Sequence, residues 1–128
     1  MKNGKSDCPF CDREGRLKII TSNHVAFAIF DNYPVSNGHV LVIPRRHCSN
    51  YFELTMEEQQ ASWTLIAKIQ GKLTDKYKPD GYNIGVNIGK AAGQTIEHVH
   101  LHLIPRYNGD MENPKGGIRH CVDGKGYY

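Results

Sequence analysis

The chain lacks any apolar run approaching the ~18 residues that a membrane-spanning helix needs, which argues against such a span. It lacks a strong charge of either sign. Its 16 Lys and Arg against 13 Asp and Glu leave +3, too mild for a nucleic-acid surface but suited to an anionic small substrate. It also lacks an apolar signal core behind the polar start Met1-Lys2-Asn3-Gly4-Lys5-Ser6-Asp7, so a cytoplasmic protein is expected. With 128 residues there is room for one core and not for two, and residues 1–128 are read as a single domain.

Four cysteines would permit two disulfides, which a reducing cytosol disfavours. Cys8-Pro9-Phe10-Cys11 is a C-x-x-C pair, a spacing that lets two thiolates grip one metal ion. A redox role is the rival reading, weakened because no strand-to-helix pattern of the thioredoxin kind surrounds the pair. Cys48 and Cys121 stand alone and are read as bystanders.

Histidine is concentrated in one place. In Glu97-His98-Val99-His100-Leu101-His102-Leu103-Ile104-Pro105-Arg106, three of the chain's seven histidines alternate with aliphatic residues. Successive side chains of a strand point to opposite faces, so His98, His100 and His102 are expected on one face and Val99, Leu101 and Leu103 on the other. Neighbouring imidazoles would then sit about 6–7 Å apart. A single strand histidine is ordinarily a satisfied polar residue, but three in strict alternation are not explained by packing. Two chemistries fit: a catalytic metal site, or an imidazole nucleophile with neighbours that orient the substrate.

The segment His98-Val99-His100-Leu101-His102-Leu103-Ile104 resembles the signature of the histidine triad family of nucleotide hydrolases and transferases. Gly38-His39-Val40-Leu41-Val42-Ile43-Pro44, Asn87, Ala92-Gly93-Gln94-Thr95 and Asn113-Pro114-Lys115-Gly116-Gly117-Ile118-Arg119 also follow the family pattern. The resemblance runs from about Cys8 to Arg119. It implies a five-stranded antiparallel sheet with one long helix and a short one, an α+β domain paired into a homodimer. It further implies nucleotidyl transfer to water at the α-phosphate of a dinucleoside polyphosphate or related adenine nucleotide. In that chemistry His100 would attack, His102 would hydrogen-bond the phosphoryl oxygen, His98 would orient the strand and His39 would assist. An adenosine phosphoramidase is the runner-up, and a non-catalytic nucleotide-binding interaction protein the third reading.

Taken in order, residues 1–15 are read as a metal knuckle, followed by strands over residues 16–20 and 24–30 joined by a turn at Thr21-Ser22-Asn23. Residues 31–38 are a loop. Asp31 could simply cap a turn, but a carboxylate also accepts hydrogen bonds from ribose hydroxyls, and the resemblance implies that role. Ile29 and Asn32 would line the base pocket, with Phe10 a third member. Residues 39–43 form a strand stopped by Pro44. Arg45 and Arg46 are assigned to surface solvation, whereas Cys8, Cys11, His47 and His98 make a Cys₂His₂ set suited to a structural zinc, as in zinc-bearing relatives.

Thr55-Met56-Glu57-Glu58 has the form of a capping box. Ala61, Leu65, Ile66, Ile69 and Leu73 recur behind it at helical spacing. Pro79-Asp80-Gly81 should end this helix. A strand over residues 82–87 leads into a connection whose Gly85, Gly89 and Gly93 would let backbone approach a phosphate. Asn87, Gly93, Gln94 and Thr95 are the phosphate contacts that the resemblance implies. Residues 107–128 are read as an irregular wrapping tail.

Overall fold

The computed structural model describes residues 7–11 and 15–128; the rest of the expected knuckle lies outside the described residues. The strands are β1 (Thr21–Ser22), β2 (Ala26–Phe30), β3 (Val40–Pro44), β4 (Gly81–Val86) and β5 (Leu101–Arg106). They form one antiparallel sheet in the order β1-β2-β3-β5-β4. A long helix, α1 (Met56–Tyr77), lies between β3 and β4. It is the only α-helix among the described residues. In place of the expected short one there are 3₁₀ turns at Tyr51–Glu53, Lys90–Ala92 and Gly117–Cys121. No helix among the described residues is long and apolar enough to cross a membrane.

The helix begins where its capping box predicts. The Glu58 N–H donates to Thr55 Oγ1 at 3.0 Å and the Thr55 N–H to Glu58 Oε1 at 2.8 Å, a motif worth about 1 kcal/mol. Arg46 strengthens it with paired contacts to Glu58 at 2.8 and 2.9 Å. That guanidinium holds the Glu58 carboxyl down at about 2. Arg46 is therefore a link between the end of β3 and the start of α1, not the solvating residue expected. The helix stops at Lys78, in the left-handed region at φ 50°, before Pro79.

Period-2 alternation splits the sheet into two faces. Ala26, Ala28, Val40, Val42, Leu101 and Leu103 pack with Leu65, Ile66, Ile69 and Leu73 of α1 in one core. Phe27, Ile29, Leu41 and Ile43 form a smaller cluster on the other face, closed by Phe10. This second face carries the site.

Every strand is offset from its expected bounds: β2 begins at Ala26, β3 leaves out His39 and includes Pro44, and β4 runs Gly81–Val86, but two differences matter most. The first hairpin pairs at Thr21–Ser22 instead of residues 16–20, because Asn23 closes a tight turn directly behind it. Asn23 Oδ1 accepts the N–H groups of Val25 and Ala26 at 3.0 and 2.8 Å. Upstream, Leu17 leaves the sheet to pack beside the Phe10 cluster. The second difference concerns the histidines. β5 starts at Leu101, so only His102 belongs to a strand. Before it, the Val99 N–H donates to the Cys48 carbonyl at 2.7 Å, outside the ladder. Val99 nevertheless shares the helix-side core with Leu101 and Leu103, so the alternation survives without the pairing.

Candidate active site

Beyond the end of β3, four side chains converge from three segments. His98 is fully buried, and its Nε2–H donates to the Pro44 carbonyl at 2.7 Å. That bond fixes the tautomer and turns the Nδ1 lone pair outward. Nδ1 faces Cys8 Sγ at 3.3 Å and Cys11 Sγ at 3.6 Å, while His47 Nδ1 lies 3.2 Å from Cys11 Sγ. The four donor atoms all lie within 4.8 Å of one another. Zinc bonds of ~2.3 Å to sulfur and ~2.05 Å to nitrogen give a tetrahedral S···N edge of about 3.5 Å. The cage therefore fits a zinc-sized ion, and Cys8, Cys11, His47 and His98 could form a metal site.

The imidazole row is bent. His98 turns into this cage, while His100 and His102 turn together, with ring centroids 5.3 Å apart. His100 Nδ1–H donates to the His98 carbonyl at 2.9 Å, which leaves Nε2 with its lone pair. His100 is 8% exposed and lines a cavity of about 470 Å³.

His39 directly precedes β3. Its Nδ1 accepts the Val35 N–H at 3.1 Å, so the neutral ring carries its proton on Nε2. That N–H donates to His102 Nδ1 at 2.9 Å, with Asp31 Oδ2 3.4 Å away. His102 in turn must hold its proton on Nε2. Burial pushes His102 down to about 4, with His100 and His39 adding to the effect and Asp31 opposing it. His39 is lowered as well, chiefly by burial against the pull of Asp31. Asp31, His39 and His102 are close enough to suggest a second cation site. A metal there would need the His39 Nε2 lone pair, which the Val35 contact assigns to a proton. The group is a hydrogen-bonded relay.

The cavity brings together most of the expected nucleotide residues: Ile29, Asp31, Asn32, Asn87, Gly93 and Thr95, beside His100 and His102. Asp31 Oδ1 also accepts the Tyr33 N–H at 2.9 Å, the turn-capping role open to it from sequence. Gln94 is elsewhere. Its Oε1 accepts the Gly89 N–H at 2.8 Å, and its amide N–H groups donate to the Ser49 carbonyl at 2.7 Å and the Ile96 carbonyl at 3.1 Å.

Phe10 does line the cavity, 5.2 Å from the His100 ring and edge-on to His98 at 6.0 Å. Pro9, Tyr33, Leu41 and Ile96 share the lining and were not expected. For Leu41 the signal was available, since it alternates with the helix-side Val40 and Val42. For Pro9 it lay in the C-x-x-C itself, which carries its two inner residues wherever the thiols go.

Known proteins share sequence and fold with this chain. Residues 13–109 match the HIT domain family. An uncharacterised HIT-like protein of Mycoplasma genitalium is 40% identical over 109 residues, 83% of this chain and 77% of that one. The bis(5′-adenosyl)-triphosphatase of Dictyostelium discoideum is 38% identical over 96 residues, 75% of this chain and 64% of that enzyme. Among solved structures, a zinc-bound histidine triad family protein from Mycobacterium smegmatis superposes with a TM-score of 0.77. It is 32% identical, with 86% of this chain and 82% of that one covered.

Proposed function

The chain belongs to the HIT domain family, and on that premise we propose that it is a nucleotide hydrolase acting at the α-phosphate of a dinucleoside polyphosphate through a nucleotidyl-His100 intermediate. The observation that carries this reading is the His100 tautomer. Nδ1–H is held by the His98 carbonyl at 2.9 Å, so Nε2 presents a lone pair to a cavity of nucleotide size. The likeness to a bis(5′-adenosyl)-triphosphatase supports the substrate class.

In the proposed reaction, Nε2 of His100 attacks the α-phosphorus. The bond to the bridging oxygen breaks, and its electron pair leaves with the second nucleoside phosphate. His102 donates Nε2–H to the phosphoryl oxygen as charge develops there. Because His102 is held low, at about 4, it acts near neutrality as a neutral donor, and His39 keeps the donating hydrogen on the nitrogen away from itself. Water then attacks phosphorus, the P–N bond breaks, and His100 recovers its electron pair. Asp31 binds the ribose, and Ile29, Asn32 and Phe10 line the base pocket. Zinc, held by Cys8, Cys11, His47 and His98, would tie the N-terminal segment to the residue whose carbonyl orients the nucleophile.

His100→Ala should lose roughly three or more orders of magnitude in kcat while nucleotide binding stays within about tenfold. His102→Ala should lose less, since it removes one stabilising hydrogen bond worth about 3–4 kcal/mol at most. Rapid acid quench of wild type with labelled diadenosine polyphosphate should trap a base-stable adduct on His100. Near-wild-type turnover by His100→Ala, or an adduct on another residue, would overturn the mechanism.

A further inference from the structure

The metal cage and the nucleotide cavity share a wall. Cys8 and Cys11 belong to the cage, and Pro9 and Phe10, the two residues between them, line the cavity. Phe10 is 7% exposed because its ring closes the apolar cluster of Phe27, Ile29, Leu41 and Ile43. Ile29 and Leu41 of that cluster line the cavity too, so the ring forms one side of its apolar end. We propose that zinc in the cage builds this wall, so that zinc and an adenine nucleotide each tighten the binding of the other, with Phe10 as the residue that couples them. This rests on the reading of the cavity as a nucleotide site and adds control of that site by metal supply.

Three observations support the coupling. The first is how the segment is held. Residues 7–11 lie outside the sheet, and the thiols of Cys8 and Cys11 reach across to His98 and His47 at 3.2 to 3.6 Å. Thiol hydrogen bonds are weak. Bonds from two thiolates and two imidazoles to one ion are strong, and they would fix both ends of the Cys8–Cys11 turn. The turn is tight, with the Cys11 N–H donating to the Cys8 carbonyl at 3.2 Å, and Pro9 restricts its own backbone. Fixing the thiols therefore fixes Phe10. The second observation is that the nucleophile's support does not need the metal. His98 Nε2–H is bonded to the Pro44 carbonyl and the Val99 N–H to the Cys48 carbonyl, each at 2.7 Å. Those bonds keep the His98 carbonyl under His100 Nδ1–H. The third is the larger core. Between the sheet and α1 it contains none of residues 7–11, so metal loss loosens the knuckle and leaves the sheet folded. Stripping the metal thus strikes the base wall and spares the nucleophile.

The test is equilibrium binding of adenosine 5′-monophosphate to zinc-loaded protein and to protein stripped by chelator. One aromatic wall contributes about tenfold to the affinity for a base, so calorimetry should find the nucleotide bound about tenfold more tightly by the zinc form. Saturating nucleotide should raise the zinc affinity, read by competition with a chromophoric chelator, by the same factor. Stripping wild type should leave its far-UV circular dichroism unchanged. Phe10→Ala should keep its zinc and its circular dichroism, and its two forms should bind the nucleotide within about twofold of each other. Phe10→Leu, which fills part of the same space, should fall between. Equal affinity of the two wild-type forms overturns the coupling, as does protein that takes up no zinc. A difference that persists in both variants, or that comes with loss of circular dichroism on stripping, overturns it as well, since the metal would then act through the fold at large. Nucleotide that binds neither form of wild type would overturn the nucleotide site itself, a result distinct from these.

Discussion

His102 should make the protein acid-sensitive in a way that one substitution can isolate. Its imidazole is held down at about 4 in the folded chain, first by burial and then by His100 and His39. In the unfolded chain it should titrate at about 6.5. As pH falls below that value the unfolded state takes up the proton while the folded state does not, so acidification favours unfolding. The stabilisation is complete above about pH 6.5 and is lost as pH falls toward 4. For this one site, the loss between pH 8 and pH 5 comes to about 2 kcal/mol, and by pH 4 to about 3. His102→Gln removes the titration and still offers His39 Nε2–H an oxygen acceptor. Urea unfolding of both proteins at pH 8 and pH 5, in buffers of equal zinc content, gives the comparison. The variant should lose about 2 kcal/mol less than wild type over that interval, whatever the other histidines and carboxylates contribute to both. If the two proteins lose the same stability, His102 is not held neutral by its surroundings, and its assignment as a neutral donor falls with it.

Two further outcomes are expected. Protein purified without chelator should carry about one zinc per chain, and Cys8→Ser should lose it; metal analysis that finds none, or finds it retained in the variant, would remove the metal site. Light scattering at micromolar concentration should return about twice the 14.5 kDa chain mass, because a domain this small with one long helix gains burial by pairing. A mass near that of one chain would count against the homodimer.

The parts of the molecule that were legible in the sequence are those in which residue type alone constrains the outcome. Thr55 and Glu58 mark a helix start because few other arrangements use that pair. The C-x-x-C spacing marks Cys8 and Cys11 as a metal-binding pair, whereas seven histidines leave the other ligands open, and it is the resemblance to zinc-bearing relatives that singles out His47 and His98. Alternation likewise assigned Val99, Leu101 and Leu103 to the helix side. It could not say where pairing begins, because the segment before Leu101 keeps the alternation while giving its hydrogen bonds to Pro44 and Cys48. Gln94 was illegible for a different reason. A carboxamide donates and accepts equally well, so nothing in its type separates a phosphate ligand from a brace.

The relay from Val35 through His39 to His102 depends on strand register. Leu41 pairs with His102, which makes His39 a diagonal neighbour on the same face, within reach of a long side chain. A slip of one residue would send His39 to the helix side. The proton on His102 would then have no partner to place it. The catalytic use proposed for that histidine thus depends on the packing of Val40, Val42, Leu101 and Leu103 under α1, the residues that set the register.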